Sequence, residues 1–249
     1  MDIRELTTVL NGLLDAGAYK DLCPNGLQVE GQSDVRHIVC GVSACVDLFE
    51  QALKHGADTI LVHHGIIWNF ERPLYNGAYK KRVKLLLEND LNLLAYHLPL
   101  DAHATLGNNA LIARELELNE RESFGDYNGM PIGFSGLFNN TADKLFEKIR
   151  QRINHNAMIF PFGPSSIKRV GIISGAAQKE IKQAVLQGFD AFITGEVSEH
   201  VYHYAREEGI HFIAAGHHAT EVFGVRALGE YIGREFNLKT EFVNIDNPV

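Results

Sequence analysis

The sequence predicts an α/β fold with two related three-layer halves, each containing a mostly parallel sheet. The first observation is that short apolar segments at 37–45, 59–62 and 91–97 alternate with helical patterns at 46–55 and 78–90. Strands that are apolar on both faces are typical of parallel sheets covered by helices. The second observation is that the same alternation returns in the second half of the chain. Both observations favour βαβ units.

The second half repeats the first in detail. Residues 188–196 match residues 56–64, Gly for Gly and Asp for Asp, and residues 210–221 match residues 91–101. In this repeat His97 corresponds to His217, and Asp101 corresponds to Glu221. An internal repeat of this kind predicts two similar halves, which we expect to face each other across a metal-containing cleft.

We expect the first half to contain 1–118 with 218–249. The second half is then 119–217, with a variable insertion at 119–168 that is rich in Gly and Pro around one helix at 141–153. The Gly- and Pro-rich segment between the two related halves is the natural place for such an insertion.

The remaining elements follow from local signals. Apolar residues at helical spacing after Met1 predict an amphipathic N-terminal helix, and Pro24-Asn25-Gly26 predicts a turn before a short strand. Gly56 is a typical C-cap for the helix at 46–55. Asn108 is expected to cap a helix that ends near Glu117.

Composition limits the class of function. The chain has 249 residues and a formal net charge of −8, which disfavours a nucleic-acid or acidic-membrane partner. Three cysteines without CxxC spacing argue for a reducing compartment. The N-terminus lacks the pattern of a signal peptide, and the sequence has no 18-residue apolar run. We therefore expect a cytoplasmic protein with no membrane partner.

The adjacent histidines His63 and His64 are an unusual ending for an apolar strand. Ligands of parallel α/β sheets bind beyond the carboxyl ends of the strands, and both repeats place imidazole and carboxylate side chains there. His217 and Glu221 are four residues apart on a predicted helix, so they share one face. Together these positions form the predicted set of metal ligands: His63, His64, Asp101, His217 and Glu221.

Three imidazoles and two carboxylates are more ligands than one open metal site needs. They suit two divalent ions with a carboxylate between them. Mixed nitrogen and oxygen ligation without cysteine favours Zn, Mn, Fe, Co or Ni and does not choose among them. We predict two divalent metal ions in each subunit.

Several further positions leave alternatives open. His97 could orient a ligand, act as a general acid or base, or be a hydrogen-bonded histidine at a strand end, and it is the predicted catalytic residue. Glu196 occupies the position of His64 in the repeat, so it either lines the same cleft or supplies charge at a helix N-terminus. Glu199 and His203 also share a helix face, where a solvated charged face is the simpler interpretation.

Other chemistries find little support in the sequence. It contains no G-x-S-x-G elbow, no Walker A motif, no G-x-G-x-x-G loop and no H-E-x-x-H motif. Cys40 and Cys45 lie in or beside a buried strand without a visible base, which disfavours a thiol nucleophile. Aromatic residues interleaved with basic ones are also missing, which weakens direct nucleic-acid recognition.

As a set, several motifs resemble the Nif-three-like family, also called the GTP cyclohydrolase I type 2 homologues. The motifs are PNGLQVEG (24–31), GADTILVHHG (56–65), HLPLDAH (97–103), LGNNA (106–110), DAFITGEVSE (190–199) and AAGHHATE (214–221). The resemblance implies a dinuclear metal site with the five ligands named above and with Glu221 bridging. It also implies a toroidal homohexamer with its sites facing the inner cavity, and for the bacterial members a link to DNA damage.

Two classes of function follow. The first is a metal-dependent hydrolase in which a metal-bound water attacks a nucleotide, a purine-like ring or a phosphoester, with His97 moving the proton. The second is a metal-binding scaffold or regulatory protein that acts through its ring-shaped assembly without turnover. Passage of nucleic acid through the ring is a weaker hypothesis, because the net charge of −8 opposes it.

Overall fold

The computed structural model describes residues 1–72 and 74–249 and divides them into two compact units. The first unit is Met1–Leu100 with Gly224–Asp246, and the second is Asp101–Phe223 with Asn247–Val249. Each unit has its own sheet with helices packed around it. The predicted α/β class, with two related halves, is confirmed.

The helices and strands follow one another in this order: α1 (Ile3–Leu13), β1 (Gly26–Val29), β2 (His37–Ser43), α2 (Val46–His55), β3 (Thr59–His64), α3 (Gly77–Glu88), β4 (Asn92–Ala95), α4 (Leu98–Ala102), α5 (Asn108–Glu115), β5 (Asn119–Tyr127), β6 (Met130–Thr141), α6 (Ala142–Arg152), β7 (Met158–Pro161), β8 (Ser166–Ile172), α7 (Ile181–Leu186), β9 (Ala191–Thr194), α8 (Glu199–Glu208), β10 (His211–Ala214), α9 (His217–Phe236) and β11 (Lys239–Phe242). Short 3₁₀ turns lie at Ala16–Ala18 and Gln178–Glu180.

The sheet of the first unit has the strand order β1-β4-β3-β2-β11, in which β4, β3, β2 and β11 are parallel and β1 is antiparallel. Residues of α2 such as Leu48 and Phe49 pack against Val39 and Ile60 of this sheet, and all four are fully buried. The parallel strands bring the carboxyl ends of β3 and β4 to the same edge, which is where His63, His64 and His97 occur.

The sheet of the second unit has the order β5-β6-β8-β9-β10-β7. Its centre, β8-β9-β10, is parallel, whereas β5, β6 and β7 pair antiparallel with their neighbours. Ile112, Leu145 and Ile149 from the helices pack with Val170 and Ile193 of the strands. The sheet is therefore mixed, and its parallel part is the βαβαβ unit that the repeat predicts.

One aspartate contact shows how closely the two units correspond. In the first unit Asp58 Oδ2 accepts hydrogen bonds from the backbone N–H groups of Arg36 (2.9 Å) and His37 (3.0 Å). In the second unit Asp190 Oδ2 accepts the same two bonds from Lys168 (2.7 Å) and Arg169 (2.9 Å). Because matched aspartates hold matched strands, the repeat extends from the sequence to individual hydrogen bonds.

Segment 119–168 contributes β5, β6 and β7 in addition to α6, the one helix that the sequence suggested. The residues Asn128 and Gly129 connect β5 to β6, and both have positive φ, 54° and 87°. An Asn-Gly pair with positive φ at both residues is the usual two-residue turn of a β-hairpin. The signal was present in the sequence but was obscured by the surrounding glycines and proline.

Of the two helix caps that the sequence predicts, the structure shows one and not the other. Gly56 ends α2 with φ 70°, so the predicted C-cap is confirmed. Asn108, in contrast, is the first residue of α5, and Gly107 occupies the N-cap. The prediction that Asn108 caps this helix is wrong, because its side chain is buried and bonds to Asp101 instead.

Within residues 1–72 and 74–249, no helix is long and apolar enough to cross a membrane.

Candidate metal centre

The first unit brings three histidine side chains together. His63 and His64 end β3, and His97 follows β4. One ring nitrogen from each of the three lies within 4.8 Å of the others. His63 is fully buried, while His64 and His97 are half-buried. Since imidazole nitrogens are good ligands for Zn, Mn, Fe, Co and Ni, this group could hold a metal ion.

The strands also fix how the rings of His63 and His64 are turned. His63 Nδ1 lies 2.9 Å from the carbonyl oxygen of Tyr96, which can only accept, so Nδ1 carries the proton. His64 Nδ1 lies 3.1 Å from the hydroxyl of Ser43, the residue that pairs with it across β2 and β3. When Nδ1 is bound in this way, Nε2 is the nitrogen that a metal ion would use.

His97 is held by a carboxylate that the sequence did not single out. Its Nδ1 lies 2.7 Å from Asp21 Oδ1, and Asp21 also accepts from the side chain of Asn25 (2.9 Å) and the backbone N–H of Leu98 (3.0 Å). Burial alone would raise the pKa of Asp21, but the hydrogen bonds and the charge of His97 outweigh it and lower that pKa to about 2. Asp21 is therefore ionised and fixes the orientation of His97.

The second unit holds a histidine and a carboxylate on the first turn of α9. His217 Nε2 lies 3.1 Å from Glu221 Oε1, as their spacing of four residues predicts. His217 Nδ1 lies 2.6 Å from Glu196 Oε1. Burial favours the neutral ring, but the two carboxylates outweigh it and raise the pKa of His217 to about 9.

Asp101 is the other predicted ligand of the second unit. It is buried, and its Oδ1 accepts hydrogen bonds from Asn108 Nδ2 and from Ser174 Oγ, both at 2.8 Å. A carboxylate oxygen of Asp101 and one of Glu221 lie within 4.8 Å of each other. Two nearly buried carboxylate groups at this distance can donate to one cation, so their arrangement fits a divalent ion.

A glycine keeps the space beside this pair open. Gly175 has φ +66°, and a Cβ atom at this position would clash with Glu221 Oε1 and lie 3.3 Å from His217 Nε2. Any larger residue would fill the volume next to both donor atoms. The second unit therefore preserves room for a ligand at the place where its histidine and carboxylate meet.

The sequence missed one of the two carboxylates that orient histidines. His97 and His217 correspond in the repeat, and each is bound at Nδ1 by a carboxylate, Asp21 in one unit and Glu196 in the other. The repeat pointed to Glu196, but Asp21 lies in an N-terminal turn with no counterpart and gave no signal. Among the residues that the structure describes, the groups able to hold an ion include none from α8, the helix of Glu199 and His203.

The whole chain matches a known protein family. A family model described as Duf34/NIF3 (NGG1p interacting factor 3) matches residues 1–248. The chain belongs to the Duf34/NIF3 family. The resemblance that the sequence motifs predicted is confirmed.

Similar Duf34/NIF3 proteins match over the full chain. A Pasteurella multocida (strain Pm70) protein named GTP cyclohydrolase 1 type 2 homolog is 45% identical over 251 residues, which cover 100% of each chain. The solved structure of protein ybgI has a TM-score of 0.94 and 42% identity, and TTHA1606 from Thermus thermophilus has a TM-score of 0.88 and 31% identity. Both structures cover 100% of this chain, and this chain covers 100% of each.

The contact between Asp21 and His97 leads to a prediction about pH. The folded-state pKa of Asp21 is about 2, below the ordinary value of 3.8, so the carboxylate stabilises the fold above about pH 4. That stabilisation is lost as the pH falls from 4 towards 2. Asp21→Asn should therefore lower the free energy of unfolding by about 2 kcal/mol at pH 7 and change it much less near pH 2.

The measurement is urea unfolding of the wild type and the variant across this pH range. Glu50→Gln, an exposed substitution on α2, is the matched control and should leave the wild-type pH dependence intact. A difference between Asp21→Asn and wild type that stays constant with pH would contradict an ionised, stabilising Asp21.

Proposed function

We propose that this protein is a metal-dependent hydrolase that holds two divalent ions with His63, His64, Asp101, His217 and Glu221. The observation that carries the proposal is that the Nδ1 atoms of the proposed histidine ligands are all bound by protein oxygens. Such orienting contacts are typical of metal-ligating histidines and raise the basicity of the other nitrogen.

The donor types also support a catalytic rather than a closed structural centre. Histidine and carboxylate without thiolate are typical of catalytic sites for Zn, Mn, Fe, Co or Ni. Glu221, within 4.8 Å of Asp101 and 3.1 Å from His217 Nε2, is the proposed bridging ligand. Since the pKa of His217 is about 9 without metal, an ion has to displace a proton from Nε2 when it binds.

The chemistry assigns separate roles to the residues around the ligands. Two bound divalent ions would lower the pKa of an attacking water and stabilise negative charge on the substrate. His97, anchored by the ionised Asp21, is the proposed group that takes and returns the proton. Glu196 holds His217 in the orientation that ligation needs. The proposed substrates are nucleotides, purine-like rings and phosphoesters.

A second candidate is a metal-binding scaffold or regulatory protein without turnover that acts through a ring-shaped homohexamer in the cytoplasm. The family resemblance favours the ring and suggests a link to DNA damage. Light scattering checks the assembly, since a mass near that of one chain would exclude a ring. The scaffold becomes the better account if the protein binds metal fully and turns over no substrate.

Turnover is tested with protein purified in its native metal state. We expect hydrolysis of at least one member of a panel of nucleotides, phosphodiesters and cyclic amides, and the panel includes GTP because of the relatives' name. His64→Ala and Glu221→Ala should lower kcat by at least about a hundredfold, because each removes a ligand. Equal behaviour of wild type and both variants on every substrate would exclude the hydrolase.

Metal binding is tested separately by Gly175→Ala. We expect this variant to hold clearly less metal than the two equivalents of the wild type, because the added Cβ atom would occupy the space beside Glu221 and His217. Gly188→Ala is the matched control, since Gly188 has φ +68° and no atom within 4 Å of its Cβ position. Both variants carry similar backbone strain, but only the first should lose metal.

The measurement is elemental analysis after reconstitution with excess metal, with thermal unfolding recorded for both variants. Equal metal content in the two variants would contradict the role of the space beside Gly175. Less than one equivalent in the wild type would exclude two ions.

A further inference from the structure

Two aromatic side chains lie beside the histidines of the first unit. Trp68 and Phe70 belong to the loop between β3 and α3, and their ring centroids are 5.6 Å apart. The Trp68 ring meets the His97 ring edge to face at 5.3 Å and lies 5.9 Å from the ring of His64. An aromatic surface therefore continues directly from the candidate histidine cluster.

The loop that carries this surface is held by hydrogen bonds. Trp68 Nε1 donates to the carbonyl oxygen of Gly65 at 3.1 Å, and the backbone N–H of Asn69 donates to the carbonyl oxygen of Leu22 at 2.9 Å. At the start of the loop, Gln28 Oε1 accepts from the backbone N–H of Ile66 at 2.9 Å. Because these bonds fix the indole before any ligand arrives, little conformational entropy has to be lost on binding.

The outer part of the surface is open to solvent. Phe70 is 66% exposed, whereas Trp68 is half-buried against the histidines. A single exposed apolar residue is common on a protein surface. Phe70, however, forms an aromatic pair with Trp68, whose ring lies beside candidate metal ligands. Glu71 and Arg72 both line the same small cavity as Trp68, so side chains of opposite charge lie close to the pair.

We propose that Trp68 and Phe70 form a stacking surface for the heteroaromatic base of a nucleotide whose reacting group lies at the histidine cluster. This inference rests on the proposed hydrolase function and names the substrate class more closely. Every nucleobase has a π-face, and stacking on aromatic side chains requires no specific hydrogen bonds. The net charge of −8 favours a single nucleotide over a nucleic-acid polymer.

The composition of the chain provides a direct reporter. Trp68 is the single tryptophan, so intrinsic indole fluorescence comes from this position. The metal-loaded full chain is titrated with guanosine and adenosine monophosphates, with excitation at the red edge of indole absorption. Ribose 5-phosphate, which has the sugar and phosphate but no base, is titrated in parallel. We expect saturable quenching by both nucleotides and none by ribose 5-phosphate.

The variant Phe70→Ala removes the outer ring while keeping the reporter. It should weaken nucleotide affinity about tenfold, which corresponds to the usual contribution of one base–aromatic stack. Leu87→Ala is the matched control, because Leu87 is a similarly exposed apolar residue on α3 and should leave affinity unchanged. Calorimetric titration of both variants gives the affinities independently of the fluorescence, and circular dichroism checks their folding.

Several outcomes would overturn the inference. They are equal quenching by ribose 5-phosphate, no response to either nucleotide, and unchanged affinity in Phe70→Ala. Loss of assembly in Phe70→Ala without any nucleotide response would assign the surface to contacts between copies of the chain and would also overturn it.

The inference and the proposed function can fail separately. Base-dependent binding without turnover of any substrate would exclude the hydrolase and leave the stacking surface standing. Turnover of nucleotides with a KM that Phe70→Ala does not change and that equals the KM of base-free phosphoesters would exclude the stacking surface and leave the hydrolase standing.

Discussion

The candidate site depends on the hydrogen bonds that hold its histidine rings at Nδ1. An imidazole that is free to rotate can present either nitrogen, so a ring must be fixed before it can serve as a defined ligand or base. Here the partners are the carbonyl oxygen of Tyr96, the hydroxyl of Ser43 and the carboxylates of Asp21 and Glu196. They come from strand ends and turns that are distant in the sequence, and the fold is what brings them to the rings.

Strand register is the constraint behind these contacts. Ser43 pairs with His64 across β2 and β3, and Val62 pairs with Ala95 across β3 and β4. A slip of one residue would turn each side chain to the opposite face of the sheet and separate every histidine from its partner. At the other end of these strands, Asp58 accepts hydrogen bonds from two backbone N–H groups of the neighbouring strand. These bonds hold the same register. The orientation of the rings thus depends on contacts a full strand length away.

Much of the fold could be predicted from the sequence because its signals are local or repeated. The apolar strands, Gly56 as a C-cap and the spacing of His217 and Glu221 each depend on a few neighbouring residues. Other features depend on side-chain contacts that no local pattern encodes. Asp21 and His97 are hydrogen-bonded although they lie far apart in the sequence of the first unit. Asn108 does not cap its helix as expected, and its side chain bonds to Asp101 instead. The five metal ligands themselves remain a prediction.

The matched aspartates Asp58 and Asp190 bear on the history of the chain. Identical backbone contacts at equivalent positions of two units are the expected result of duplication of one ancestral half. After such a duplication the aspartate stayed the same in both copies, while the strand end became His64 in one and Glu196 in the other. The carboxyl end of a parallel strand is a place where a side chain can be exchanged without disturbing the pairing beneath it. One copy has the imidazole of His64 at this position, while the other has Glu196, which orients His217 of its own unit.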